Sequence, residues 1–180
     1  MKNFFLICSI VLLMHTTVNA QFLKFGVKAG ANFASLDGDD VSGLDTYTSF
    51  HFGGLVEFKV LENLSIQPEV LYSSQGAKVN EDAFEDINYN YITVPVLAKI
   101  YLISEKLSLE AGPQFSFLMN DNLPDQFESK SFDFAAVGGL GFQFTENIFA
   151  QGRYVLGLSD TTSDAEIKNR VIQISVGYRF

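Results

Sequence analysis

The sequence predicts an all-β fold: an eight-stranded, antiparallel, up-and-down β-barrel that crosses a membrane. Three observations support this prediction. Apolar and polar side chains alternate along eight segments, as the side-chain period of two in a β-strand requires. The segments reach 15 residues, whereas strands of soluble domains average five or six. The connections between the segments are alternately short and long, which is the layout of bacterial outer-membrane barrels.

Residues 1–20 are predicted to be an export signal that is cleaved from the barrel domain, residues 21–180. Lys2 provides a positive start, an apolar run follows at Phe4–Met14, and Val18-Asn19-Ala20 forms a small-residue cleavage site. The apolar run is too short to span a membrane as a helix. Cys8 is the only cysteine, so the mature chain has no disulfide and no thiolate chemistry.

The strands follow from the alternation, which is clearest in the last of them. There the apolar set is Ile172, Ile174, Val176, Tyr178 and Phe180, and the intervening residues are mostly polar. This makes one apolar face about ten residues tall, long enough to cross a bilayer at a tilt of about 45°. In chain order, the predicted strands are Phe22–Leu36, Ser49–Val60, Leu64–Lys78, Tyr89–Leu102, Leu107–Met119, Phe132–Phe144, Ile148–Ser159 and Asn169–Phe180.

The connections divide the predicted barrel into two ends, with short turns expected on the periplasmic side and four long loops on the extracellular side. The short turns are Leu61-Glu62-Asn63, Ile103–Lys106 and Thr145-Glu146-Asn147. The long loops are Asp37–Thr48, Val79–Asn88, Asn120–Ser131 and Asp160–Lys168, and together they carry a charge of −12. Without Lys2 the chain has 11 basic and 21 acidic residues, a net charge of −10. Nucleic-acid binding is therefore not expected, because phosphate contacts need clustered Lys or Arg.

The two faces of the strands predict which side chains meet lipid. One set of alternating positions is almost entirely apolar, as with Phe50, Phe52 and Phe58. The opposite set is polar and is predicted to fill the lumen, which in an eight-stranded barrel is just wide enough for side chains. The charged members of this predicted lumen network are Lys28, Glu57, Lys59, Glu69, Lys99, Glu110, Arg153 and Arg179.

Two alternatives remain at this stage. A soluble sandwich or lipocalin-like barrel would have the same periodicity with the apolar face turned inward. The lumen charges could also line a proton or ion path, although buried charges must in any case be paired. Pro68, Pro95 and Pro113 lie in mid-strand, where each removes a hydrogen-bond donor, and we expect local bulges there.

No residue set predicts a catalytic, cofactor or metal site. His51 is the only histidine of the mature chain, and a lipid-modifying enzyme would need a Ser or carboxylate beside it. The following residues, Phe52 and Gly53, supply none. Asp37-Gly38-Asp39-Asp40 looks superficially like a calcium loop but lacks the ligand spacing of an EF-hand.

Several stretches resemble the PorT-like outer-membrane β-barrel family of Bacteroidetes. They are Phe25–Phe33, the segments Phe50–Gly54 and Leu64–Lys78, and Tyr91–Lys99. In that family a carboxylate more often stands at the position of Thr93, so this chain has one lumen charge fewer and Lys99 is short of a possible partner. The pair Tyr178 and Phe180 resembles the C-terminal signal that the barrel-insertion machinery recognises.

The resemblance implies a Gram-negative outer-membrane location after Sec export, in contact with lipid and lipopolysaccharide. For function, we expect a non-enzymatic structural, adhesion or accessory protein. The alternatives are an accessory subunit of a Bacteroidetes secretion machine, a small channel, and a lipid A-modifying enzyme centred on His51.

Overall fold

The computed structural model describes residues 22–37, 44–79, 87–103, 105–121, 132–158 and 168–180. Within these ranges eight strands form a closed barrel. The strands are β1 (Leu23–Asp37), β2 (Leu44–Leu61), β3 (Leu64–Val79), β4 (Ile87–Ile103), β5 (Leu107–Asp121), β6 (Phe132–Gln143), β7 (Ile148–Gly157) and β8 (Lys168–Arg179). No helix in the described part of the chain is long and apolar enough to cross a membrane.

Each strand pairs antiparallel with its neighbours in the sequence, and β8 pairs with β1 to close the barrel. Val27, for example, lies opposite Gly54 of β2 on one side and Tyr178 of β8 on the other. The prediction of an all-β, eight-stranded, up-and-down barrel is therefore confirmed. Closure pairs every strand on both sides, which leaves no sheet edge exposed.

Several strands extend further toward the long-loop end than the alternation indicated. β2 begins at Leu44 rather than Ser49, and Leu44 pairs with Val79 of β3. Backbone pairing continues there beyond the stretch of regular apolar–polar alternation, so hydrophobic periodicity could not locate these ends. The export signal and the Asp37–Asp40 motif beyond Asp37 lie outside the described residues, as do most of the acidic loop residues.

The two faces are distributed as predicted. In β8, Gln173, Ser175 and Arg179 are buried inside the barrel, whereas Ile174 and Val176 are more than half exposed on the outside. The same arrangement occurs in the other strands: charged and amide side chains are inside, and most of the large apolar side chains are outside. A soluble barrel would have the opposite arrangement, because exposing that much apolar surface to water is strongly unfavourable.

The three mid-strand prolines do not produce bulges, so that expectation is wrong. Pro68 pairs with Val96 of β4, and Pro113 pairs with Ala136 of β6, with unchanged register on both sides. Pro95 is likewise accommodated without a register shift. The closed sheet tolerates a missing donor without inserting an extra residue, because the neighbouring pairs hold the register.

Candidate functional site

The centre of the lumen is a buried ion cluster around Arg153 of β7. Its guanidinium donates from Nη1 and Nη2 to the two oxygens of Glu69 on β3, at 2.8 and 2.7 Å. It also donates from Nε and Nη2 to Glu110 Oε2 on β5, at 3.0 and 2.8 Å. The three side chains are at most 1% exposed. One arginine therefore cross-links opposite walls of the barrel, and its planar fork suits this bidentate role.

Lys28 and two glutamines complete the cluster on its β1 side. The Lys28 Nζ lies 2.8 Å from Glu69 Oε2, and both side chains are fully buried. Gln67 donates to Glu69 Oε1 at 2.6 Å, and Gln151 donates to Glu110 at 2.9 Å. The carboxylate oxygens are thus saturated with donors, which a charge removed from water requires.

A second group of ions lies closer to the short-turn end. Glu57 pairs with Lys99 at 3.4 Å and with Arg179 at 3.2 Å, and it accepts a hydrogen bond from the Tyr101 hydroxyl. Lys99 also lies 3.5 Å from Glu110, which joins this group to the central cluster. Lys99 therefore has two carboxylate partners although position 93 has no carboxylate, because register and strand tilt bring Glu57 and Glu110 to it.

Lys59 is the one predicted network member that the structure does not bring into the network. It is the last inward residue of β2 before the turn, at the mouth of the barrel rather than inside. There it pairs with Glu105 Oε1 at 2.5 Å, and Glu105 Oε2 lies 3.6 Å from Lys24. The hydrogen bond from Lys59 lowers the pKa of the Glu105 carboxyl. Sequence analysis missed Glu105 because it lies in a turn, where alternation carries no information.

Inward-facing glycines make room for the large lumen side chains. A Cβ at Gly177 would lie 2.1 Å from Phe149 Cζ, and one at Gly139 would lie 2.8 Å from Arg153 Cγ. The Arg179 guanidinium stacks on the same Phe149 ring, 4.7 Å from its centroid. Further along the lumen, a buried apolar cluster fills the space: Ala34, Leu97, Ala135, Val137, Val155 and Val171.

His51 forms a hydrogen-bonded chain with two residues that the sequence did not connect to it. Its Nε2 lies 2.8 Å from Ser175 Oγ, and its Nδ1 lies 2.7 Å from Asn32 Oδ1. Gly30 pairs with both His51 and Ser175, so the barrel register, rather than sequence proximity, creates the contact. Serine, histidine and an orienting amide in this order resemble an acyl-transfer site.

The His51 side chain and its two partners are buried, so a substrate has no open path to them through the described part of the barrel. His51, Ser175 and Asn32 are at most 1% exposed. Asn32 is further occupied by hydrogen bonds to Ser73 and Ser74 at 3.0 and 2.6 Å. A substrate carbonyl would have to displace packed lumen side chains to reach Ser175. Within the described ranges, no group of three or more His, Cys, Asp or Glu side chains could hold a metal ion.

Thr93 has a buried hydroxyl without a hydrogen-bond partner among the described residues, at the position where the resembling family more often has a carboxylate. We predict that Thr93→Val leaves the free energy of unfolding unchanged or raises it by up to about 1 kcal/mol, because no hydrogen bond is lost. Ser73→Ala is the matched control. It removes a hydroxyl that accepts from Asn32 and Gln75 and should lower stability by about 1 kcal/mol. Urea titration in lipid vesicles measures both, and equal losses would contradict the prediction.

Tyr178 and Phe180 lie on the outer face at the short-turn end. Their rings make an edge contact with centroids 5.6 Å apart. The Phe180 backbone N–H donates to the carbonyl of Phe25 at 2.9 Å, which ties the end of β8 to β1. Their predicted role as an insertion signal stays a prediction.

Comparison with known proteins identifies both a family and a set of similar barrels. The sequence profile described as "Outer membrane protein beta-barrel domain" matches residues 19–163. Ail, the attachment invasion locus protein of Yersinia pestis, is 15% identical with a TM-score of 0.58; the match covers 87% of this chain and 98% of that one.

Two further solved barrels have the same architecture. Neisserial surface protein A is 12% identical with a TM-score of 0.59, over 87% of this chain and 97% of that one. The outer membrane protein OprG of Pseudomonas aeruginosa is 13% identical with a TM-score of 0.52, over 88% and 94%. No curated protein matches in a sequence search. At these identities the structural likenesses show the fold.

Proposed function

Because the chain belongs to the outer membrane protein β-barrel domain family and is a small barrel of the Gram-negative outer membrane, we propose that it acts without catalysis. In this proposal it is a structural, adhesion or accessory protein whose loops or turns contact a partner. The barrel anchors the protein in the outer membrane, and the loops or turns determine which partner is bound. Binding residues commonly lie on loops that a rigid scaffold holds in place.

The filled lumen is the observation that carries this proposal. Arg153, Glu69 and Glu110 bridge the walls at the centre. The second group of ions, Glu57 with Lys99 and Arg179, lies between them and the short-turn end. These charged side chains contact one another directly. A permeating ion would therefore have to break the pairs between them in a low-dielectric interior. The filled lumen therefore favours a structural, adhesion or accessory role over transport through the barrel.

Cross-linking in intact outer membrane, followed by affinity purification and mass spectrometry, tests for the partner. A tag belongs in an exposed long loop, so that the turns stay free. We expect a reproducible set of envelope proteins that is absent when an unrelated tagged barrel is purified in parallel. Recovery of the barrel alone would contradict a partner-binding role.

The finer identity is also a proposal. The resemblance to the PorT-like family supports a Bacteroidetes origin and an accessory role in a secretion machine. In the cross-linking experiment this version requires secretion-machine proteins among the partners.

We further propose that residues 1–20 are removed on export, which N-terminal sequencing of the mature protein would test. We also propose that Tyr178 and Phe180 engage the insertion machinery.

A second candidate function, a lipid A-modifying hydrolase, is favoured by the chain Ser175–His51–Asn32. Because these side chains are sealed in the lumen, we predict that the folded barrel does not react with a fluorophosphonate probe. We also predict that lipid A from cells expressing Ser175→Ala has the same mass spectrum as wild type. Probe labelling that disappears in Ser175→Ala would instead support the hydrolase.

A further inference from the structure

A cleft at the short-turn rim of the barrel, the end predicted to face the periplasm, is not explained by the lumen or the loops. It has a volume of about 560 Å³ and lies between the β4–β5 turn and the β6–β7 turn, with Arg179 and Phe180 forming a third wall. The Gln143 N–H donates to the Lys106 carbonyl at 2.7 Å, which fixes the two turns to each other. Sites for small ligands typically measure about 300–1,000 Å³, so the cleft has sufficient size.

Hydrogen bonds make the β6–β7 wall rigid. The Thr145 hydroxyl accepts from the Ile148 N–H at 2.9 Å, and the Gln143 amide donates to the Thr145 carbonyl at 2.6 Å. The Asn147 amide donates to the Arg179 carbonyl at 2.7 Å. The wall is thus preformed, which favours binding because little ordering is needed.

The cleft offers one free positive and one free negative charge. Lys24 and Glu105, which also line it, already pair with each other at 3.6 Å. Lys106 on one turn and Glu146 on the other are exposed and make no ion pair within the described part of the chain. A ligand that complements both charges would carry an anionic and a cationic group.

The outer side of the cleft is apolar and opens toward the membrane. Phe144 and Phe180 line it, and they are 61% and 73% exposed. Both belong to the aromatic residues at the short-turn end, where such side chains lie at the level of lipid headgroups. The cleft therefore joins a charged, turn-facing half to an apolar, lipid-facing half at the inner leaflet.

We propose that this cleft binds the headgroup of a zwitterionic phospholipid that carries a primary ammonium. The phosphate pairs with Lys106, and the ammonium donates hydrogen bonds to the Glu146 carboxylate. The glycerol and the first acyl carbons contact Phe144 and Phe180. A quaternary ammonium has no N–H to donate, and an anionic headgroup leaves Glu146 unpaired, so both should bind more weakly.

Native mass spectrometry of the full barrel, released from mild detergent, tests the proposal. The probes are phosphatidylethanolamine, phosphatidylcholine and phosphatidylglycerol with identical acyl chains at equal concentration. We expect phosphatidylethanolamine to be retained at least about fivefold more than the other two, as a difference of one charge-assisted hydrogen bond predicts. Glu146→Gln should abolish that preference, and Lys106→Ala should reduce retention of both phosphatidylethanolamine and phosphatidylglycerol.

The controls separate a specific site from general lipid adhesion. Lys106→Arg keeps the charge and should retain binding. Glu62→Gln removes an exposed charge from the β2–β3 turn, which does not line the cleft, and should have no effect. Equal retention of the three lipids, or unchanged retention in the Lys106→Ala/Glu146→Gln double variant, would overturn the proposal. Displacement of the lipid by a soluble muropeptide bearing an amine and a carboxylate would overturn it in favour of a cell-wall ligand.

Discussion

Replacing Arg153 with alanine is expected to lower the free energy of unfolding by about 3–5 kcal/mol, the range for removing one partner of a buried ion pair. The substitution leaves Glu69 and Glu110 facing each other in the lumen without their shared cation. Lys28 and Lys99 remain nearby, but each reaches only one of the two carboxylates. Urea titration of the barrel in lipid vesicles, followed by electrophoretic mobility with and without heating, measures the loss.

Two variants control for this prediction. Arg153→Lys keeps the charge but loses the planar fork, so its effect should lie between wild type and Arg153→Ala. Glu62→Gln removes an exposed charge from the β2–β3 turn and should stay within about 0.5 kcal/mol of wild type. Arg153→Ala with wild-type stability would mean that the lumen cluster is not the central cross-link of the barrel.

Placing a charge on the outer face in the middle of β8 is expected to be nearly as damaging. Ile174→Arg should destabilise the folded barrel by about 2–4 kcal/mol, the cost of an arginine near the bilayer midplane. Ile174 points away from the lumen and is 55% exposed, so the cost arises from lipid rather than from packing inside the protein. The same urea titration in vesicles measures it.

A second substitution, matched in exposure but at a different depth, makes this result specific for a membrane. Leu102 is equally exposed on the outer face, but it lies near the short-turn end of β4. Leu102→Arg should cost no more than about 1 kcal/mol, because the arginine can reach the headgroups. Equal destabilisation by the two substitutions would contradict the assignment of the outer face to the bilayer.

The strand pattern was predictable from the sequence because the membrane imposes it locally. Every second residue of a spanning strand must be apolar, so Phe50, Phe52 and Ile174 could be assigned to lipid without knowledge of their neighbours. The same alternation assigned Glu69 and Arg153 to the lumen. Strand ends were less predictable, as with the start of β2 at Leu44, since backbone pairing beyond the membrane needs no particular side chain.

The contacts inside the lumen were not predictable, because they depend on register and tilt. Ser175 reaches His51 across 124 residues, and Lys99 finds two carboxylates that no spacing rule connects to it. Lys59 has the alternation of a lumen residue, but it lies at the mouth of the barrel, where its partner is the turn residue Glu105. Sequence alone identifies which face a residue belongs to, whereas its level along the barrel axis requires the paired strands.

Single-channel recording of the purified barrel in a planar lipid bilayer tests the closed lumen most directly. We predict no steady conductance for the wild-type protein. A Glu69→Ala/Arg153→Ala/Glu110→Ala variant that still folds serves as the positive control, because it removes the central charges together and opens the space that they fill. Resolved, steady openings of the wild-type barrel would contradict the account and make transport through the lumen its function.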